Sequence, residues 1–158
     1  MNIGVWYNPP DKTNYRRDLK VEFLPFMHAM ATHDDKQSNV VFQESVVQHW
    51  ETKSGDYTKH PPPPGRKSRS FCQPLSANYS LSLSGDWRNY LVRQELTLLN
   101  SEHISLLPIA EALIGGHTLH MSADDCTHMC FFPTLFQFQW HALQYIAERN
   151  CVGRNCYL

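Results

Sequence analysis

Two short apolar runs, Val40-Val-Phe42 and Ile104-Ser-Leu-Leu107, constrain this chain more than anything else in it. Each has the length and residue types of a buried strand, and each follows a stretch with helical spacing. In Tyr15–His33, Leu19, Phe23, Phe26, Met27 and Met30 recur at spacings of three or four, which makes one face apolar. Pro25 is expected to kink that helix or begin a second segment. In Asp86–Asn100, Trp87, Leu91, Leu96 and Leu99 fall near one helical face, with Arg88, Arg93 and Gln94 outside. Ile3, Val5 and Tyr7 alternate with Gly4 and Trp6 as a short leading strand does, and Asn8-Pro9-Pro10-Asp11 stops it. Thr134–Asn150 reads as an amphipathic closing helix with Pro133 at its start. Its core face is expected to use Leu135, Phe138, Leu143, Tyr145 and Ile146. The aromatic run Phe131, Phe132, Phe136, Phe138 and Trp140 is expected to cover the sheet. This alternation of strands and helices predicts an α/β layer fold with a mainly parallel sheet.

The chain has 158 residues, which fits one domain, 1–150, with a Cys-containing tail over 151–158. Within the domain, residues 53–70 read as a surface insertion. Pro61-Pro-Pro-Pro64 favours an extended stretch without internal hydrogen bonds, and Arg66, Lys67 and Arg69 follow it. Hydrophobic residues make up 42% of the chain, enough for a core and against a disordered chain. A net charge of −1 gives no bulk attraction for nucleic acid or an anionic membrane. No stretch approaches the roughly 20 apolar residues of a membrane span. Five cysteines are present, so an odd one is left over from internal pairing.

The chemistry points to Met121–Pro133. Asp125 and His128 stand three apart in what reads as a short polar turn. From there a carboxylate can reach the imidazole Nδ1–H, fix the tautomer and leave Nε2 as the basic atom. Cys126 and Cys130 interleave with the pair. His49 and Gln48 follow the Val40–Glu44 strand, at the carboxyl end where open α/β sheets gather ligand groups. Ser45 and Ser84 have no elbow motif around them, and Gly85-Asp86-Trp87 carries Trp where a nucleophilic Ser would stand.

Asp125-Cys-Thr-His128-x-Cys130-x-x-Pro133 resembles the closing block of the PC-esterase family. That family is the branch of the GDSL/SGNH hydrolases that includes the trichome-birefringence-like O-acetyltransferases. Three further stretches agree in order. They are Asn2-Ile-Gly-Val-Trp-Tyr-Asn8, then Val40-Val-Phe-Gln-Glu-Ser-x-x-Gln-His49-Trp50, then Cys72 followed by Asp86-Trp-Arg-Asn89. The resemblance runs from Asn2 to about Ile146. The Gly-Asp-Ser block with the nucleophile has no counterpart and would lie upstream of Met1.

The resemblance implies a partial three-layer, flavodoxin-type sandwich missing its first strand. It implies an acyl-transfer domain acting on O-acetyl esters of glycans, as esterase or transferase, with no cofactor. The partner is then an O-acetylated glycan or acyl donor, and the setting the secretory pathway, Golgi lumen or extracellular. Asn78-Tyr79-Ser80 fits a glycosylation sequon. His128 is the expected acid–base residue and Asp125 its orienting carboxylate. Asn2 is the expected oxyanion donor; Gln43, Gln48 and His49 are expected at the pocket. Gln43 stands where the family commonly has Arg, and it lacks the charged fork that Arg offers. Without its nucleophile the chain is expected to be inactive alone. The alternatives are a non-catalytic glycan-binding relative or, less in keeping with the spacing, a metal module built from His117, His120, Cys126, His128 and Cys130.

Overall fold

The structure is a computed structural model that describes residues 7, 9–32, 39–57, 72–122, 124–130 and 132–151. The expected leading strand and Asn2, the proline run and Cys156 lie outside the described residues.

The first helical stretch begins with a 3-10 turn, Pro9–Asp11, and runs through α1 (Lys12–Asp18), a π-helical segment (Leu19–Phe23) and α2 (Leu24–Thr32). The wide turn sits immediately before Pro25. The Leu24 N–H donates to Leu19 O, five residues back. Proline cannot donate, and its ring crowds the carbonyl four residues earlier, so the helix widens there instead of breaking. Tyr15, Leu19, Leu24 and Met27 are buried, whereas Phe26 and Met30, expected on the same face, are about half exposed.

β1 (Val40–Gln43) pairs in parallel with β2 (Ile104–Leu107), Val40 opposite Ile104 and Gln43 opposite Leu107. Successive side chains point to opposite faces. Val40, Phe42, Ile104 and Leu106 therefore pack with Tyr15, Leu19, Met27, Trp87, Leu91 and Val92 on one face. Val41 and Leu107 pack with Ile109, Leu113, Leu135 and Ile146 on the other. Helices thus cover both faces of a small parallel sheet, a mixed α/β arrangement.

α3 (Trp87–Leu99) supplies the first face and has a definite cap at each end. The Asp86 carboxylate accepts the Asn89 N–H at 3.4 Å and the Asn89 side-chain amide at 2.6 Å. Burial pushes the Asp86 carboxyl up to about 6, against the lowering effect of the Asn89 hydrogen bonds. Asn100 ends the helix in the left-handed region (φ 46°), with its N–H on Leu96 O. Arg88, expected outside, is buried instead. It donates to Tyr7 O at 3.0 Å through Nε and pairs with Asp56, which satisfies the guanidinium in the interior.

The second sheet corrects the expectation of a mainly parallel arrangement. β3 (His120–Ser122) and β4 (Asp125–Met129) form an antiparallel pair with an irregular register between His120 and Ser122. Each described sheet therefore has two strands. The closing helix, α4 (Pro133–Cys151), begins at Pro133 and packs by Leu135, Ala142 and Ile146. Phe136, Phe138 and Trp140 are 48%, 41% and 62% exposed, so the aromatic run does not blanket the sheet. Leu143 and Tyr145 are exposed too. Positions 136, 138 and 140 step by two, a spacing that sweeps around a helix instead of keeping to one face. No helix among the described residues is long and apolar enough to cross a membrane.

Phe42 is fully buried where the sheet meets the first helical layer. Phe42→Ala is expected to cost about 3–5 kcal/mol of unfolding free energy, read as a lower urea midpoint at an unchanged slope.

Candidate acid–base site

β4 carries the Asp125–His128 pair, and one carboxylate organises both its main chain and its ring. Asp125 Oδ1 accepts the Thr127 N–H at 3.1 Å and the His128 N–H at 3.0 Å. Asp125 Oδ2 lies 2.8 Å from His128 Nδ1. In a regular strand, residues three apart face opposite sides. Here the side chain folds back over the irregular start of the strand, and that bend brings carboxylate and ring together. The pair thus lies on a strand where the sequence suggested a turn.

The tautomer follows from the geometry. A carboxylate only accepts, so neutral His128 carries its proton on Nδ1 and its lone pair on Nε2. Burial raises the Asp125 carboxyl. The hydrogen bonds from the His128 N–H, the His128 ring and the Thr127 N–H outweigh that, and hold it below the ordinary carboxylate range. Those bonds are therefore present above the ordinary carboxylate value and weaken as the pH falls through the depressed one. The side chains of His128 and Asp125 are 52% and 35% exposed, so a solute can reach the ring.

Covalent and polar ties set the strand in place. Cys126 is joined to Cys72 by a disulfide across a separation of 54 residues. A cross-link closing a loop of that size is worth about 4 kcal/mol in the chain-entropy account. The His49 N–H donates to Cys126 O at 2.9 Å, and the Gln73 N–H to His49 O at 2.9 Å. Thr127 Oγ1 receives both Gln48 Nε2 at 2.9 Å and Trp50 Nε1 at 3.0 Å. Gln48 Oε1 in turn accepts the Tyr57 N–H at 3.1 Å.

Gln48 and His49 are thus buried supports beneath β4, bonded to Thr127 and Cys126 and not to the pair itself. Gln43 closes β1, half-buried and in register with Leu107. Asn2 lies outside the described residues. His49 is fully buried, with Nε2 2.9 Å from Ile114 O and Nδ1 2.8 Å from His120 Nε2. Sequence reasoning placed His120 only in the metal alternative and missed its contact with His49, because no local pattern joins positions 71 residues apart. It also missed Thr127, whose hydroxyl gathers two donors. Cys126 is committed to its disulfide. Among the described residues no group of three or more His, Cys, Asp or Glu side chains is placed to hold a metal ion. A groove of about 500 Å³ runs between β2 and α4, lined by Leu106, Tyr145, Ile146 and Arg149 among others; neither Asp125 nor His128 lines it.

No family model, curated protein or solved structure matches this chain.

Asp125→Ala removes the acceptor that holds the His128 proton on Nδ1. The neutral ring is expected to move toward the Nε2–H form that unconstrained imidazole prefers, visible in side-chain ¹⁵N shifts. An unchanged Nδ1–H tautomer in the variant would mean that Asp125 does not set it.

Proposed function

We propose that this chain is an SGNH/PC-esterase-like acyl-transfer domain, an O-acetyl esterase or O-acetyltransferase acting on glycans. The observation that carries the reading is the 2.8 Å contact between Asp125 and His128 Nδ1 on a tied-down strand, with the ring half exposed. In that role Nε2 of His128 takes the proton of an attacking serine hydroxyl as the Ser–acyl bond forms. It then returns a proton to the leaving alkoxide. Asp125 stabilises the imidazolium in between. The serine belongs to the Gly-Asp-Ser block, which these 158 residues do not contain. Asn2 is the proposed oxyanion donor, and Gln43, Gln48 and His49 are proposed as pocket residues.

The test uses acetylated oligosaccharide with the 158-residue chain and with a longer form that supplies the serine. The chain alone is expected to be inactive, and strong His128-dependent hydrolysis by it would refute the missing-nucleophile reading. In the longer form, His128→Ala is expected to lower kcat/KM by about a thousandfold or more. Glycan binding without turnover in that form would make the protein a non-catalytic glycan binder.

The disulfide is compatible with an oxidising compartment, and the proposed location is the Golgi lumen or the extracellular space. Asn78 is exposed in a turn where the Tyr79 N–H donates to Ser76 O at 2.8 Å. Passage through a eukaryotic secretory pathway is expected to leave an N-glycan on Asn78. Asn78→Gln should remove the whole mass increment; a secreted chain of unmodified mass would count against that route.

A further inference from the structure

Four ring nitrogens form one chain of contacts between two carbonyl oxygens. The order is Ile114 O, His49 Nε2, His49 Nδ1, His120 Nε2, His120 Nδ1 and His128 O, with contacts of 2.9, 2.8 and 3.1 Å. Carbonyl oxygens only accept. For both end contacts to be hydrogen bonds, His49 Nε2 and His120 Nδ1 must each carry a proton. The central nitrogen–nitrogen contact needs a third proton, or two lone pairs face each other at 2.8 Å. Two neutral rings hold two protons, so one of the three contacts then goes unmade. With three protons all are made, and the pair carries one positive charge.

The contact taken to yield is the longest, 3.1 Å between His120 Nδ1 and His128 O. The neutral pair is then His49 Nε2–H on Ile114 O and His120 Nε2–H on His49 Nδ1, with a lone pair on His120 Nδ1. We propose that His49 and His120 form a single proton-binding site, and that the proton, taken at His120 Nδ1, completes a hydrogen bond to the carbonyl of His128, on the strand that carries Asp125 and His128. His120 is in these terms a positioning residue for that strand. The proton site does not depend on the acyl-transfer reading, so it stands or falls separately.

Its surroundings bias it both ways. On β4, the Asp125 carboxylate favours a cation at His120 and the His128 ring opposes it. From the turn after a second 3-10 segment, Glu111–Leu113, His117 opposes a charge on either ring, its centroid 6.3 Å from that of His49. His117 Nδ1 is itself buried, with no hydrogen-bond partner among the described residues. Burial is the largest influence on both rings and disfavours the cation. The backbone contacts to Ile114 and His128 favour it, and the net effect puts both below the ordinary value of 6.5. The pair is therefore neutral at neutral pH and fills on acidification. The unfolded chain takes up its histidine protons first. The stability that comes from burying neutral rings is thus whole above 6.5 and is lost as the pH falls through it, until the folded site fills as well.

The experiment is a side-chain ¹⁵N and carbonyl ¹³C titration of the intact, disulfide-bonded chain, with His49, His117, His120 and His128 assigned separately. The expected result is one proton for the His49–His120 pair, with a ¹⁵N–¹⁵N coupling across the 2.8 Å contact. The His128 carbonyl shift should follow the same midpoint as the new bond forms. Two independent ring titrations without the coupling would overturn the proposal. So would a His128 carbonyl that ignores the titration, or a pair that takes no proton before the fold is lost. His120→Gln, which cannot bind the proton, should abolish the carbonyl response; a response persisting in that variant would equally overturn it. If that variant does not fold, the wild-type titration decides alone.

Discussion

The carboxylate of Glu44 is fully buried at the carboxyl end of β1, and the way it is satisfied holds the layers in register. Oε1 accepts Arg93 Nε at 2.6 Å, from α3, and Oε2 accepts the Ala110 N–H at 3.0 Å, just past β2. One residue further on, Ser45 exchanges two hydrogen bonds with the Asn89 side chain, each 2.8 Å, one through its N–H and one through its carbonyl. Uncompensated charge in an interior is costly, so these partners leave the chain little freedom at the point where it leaves β1. The helix over the sheet and the turn after β2 are fixed relative to that point. Apolar burial alone would tolerate small slips between the layers; directional bonds to a buried charge do not.

From that anchored exit the chain enters the segment that supports β4. Gln48, His49 and Trp50 each touch β4 or its neighbour β3 through a different bond type. They use a side-chain amide, a backbone N–H with a ring nitrogen, and an indole N–H respectively. The Cys72–Cys126 disulfide adds a covalent tie to the same strand. An exposed acid–base pair gains precision from such support, because a short antiparallel pair by itself is marginally stable in water. This is the physical link between the buried polar layer and the chemistry proposed for Asp125 and His128. The ring can be open to solute while the backbone beneath it stays in place.

Much of the framework was legible because it rests on local pattern. Val40–Gln43 and Ile104–Leu107 announce themselves as compact apolar runs, and α3 is bracketed by the Asp86 cap and the left-handed Asn100. The Asp125–His128 pairing was legible as well, since residues three apart stay within reach in most bent conformations. The face of α4 was legible only in part, at Leu135 and Ile146. Its aromatic residues outnumber the positions the neighbouring sheet can bury, and Leu135, Ala142 and Ile146 take those places. The β3–β4 pair was hidden because His120–Ser122 and Asp125–Met129 are short and polar, without the alternation that marks a half-buried strand. Arg88 was read as a surface residue because charge normally implies exposure, a rule that fails when Asp56 and a carbonyl wait inside.

The order of residues along the chain settled where the long helices and the parallel strands form, which carboxylate serves His128, and which atom of that ring is basic. Each depends on groups within a few positions of one another, where chain connectivity holds the effective concentration high. It could not settle which cysteine Cys126 joins, that His49 meets His120 across 71 residues, or that Glu44 waits for Arg93. Those contacts exist because packing two helical layers against a sheet brings distant segments to a common point. Once there, a buried polar group must take whichever partner the layers deliver.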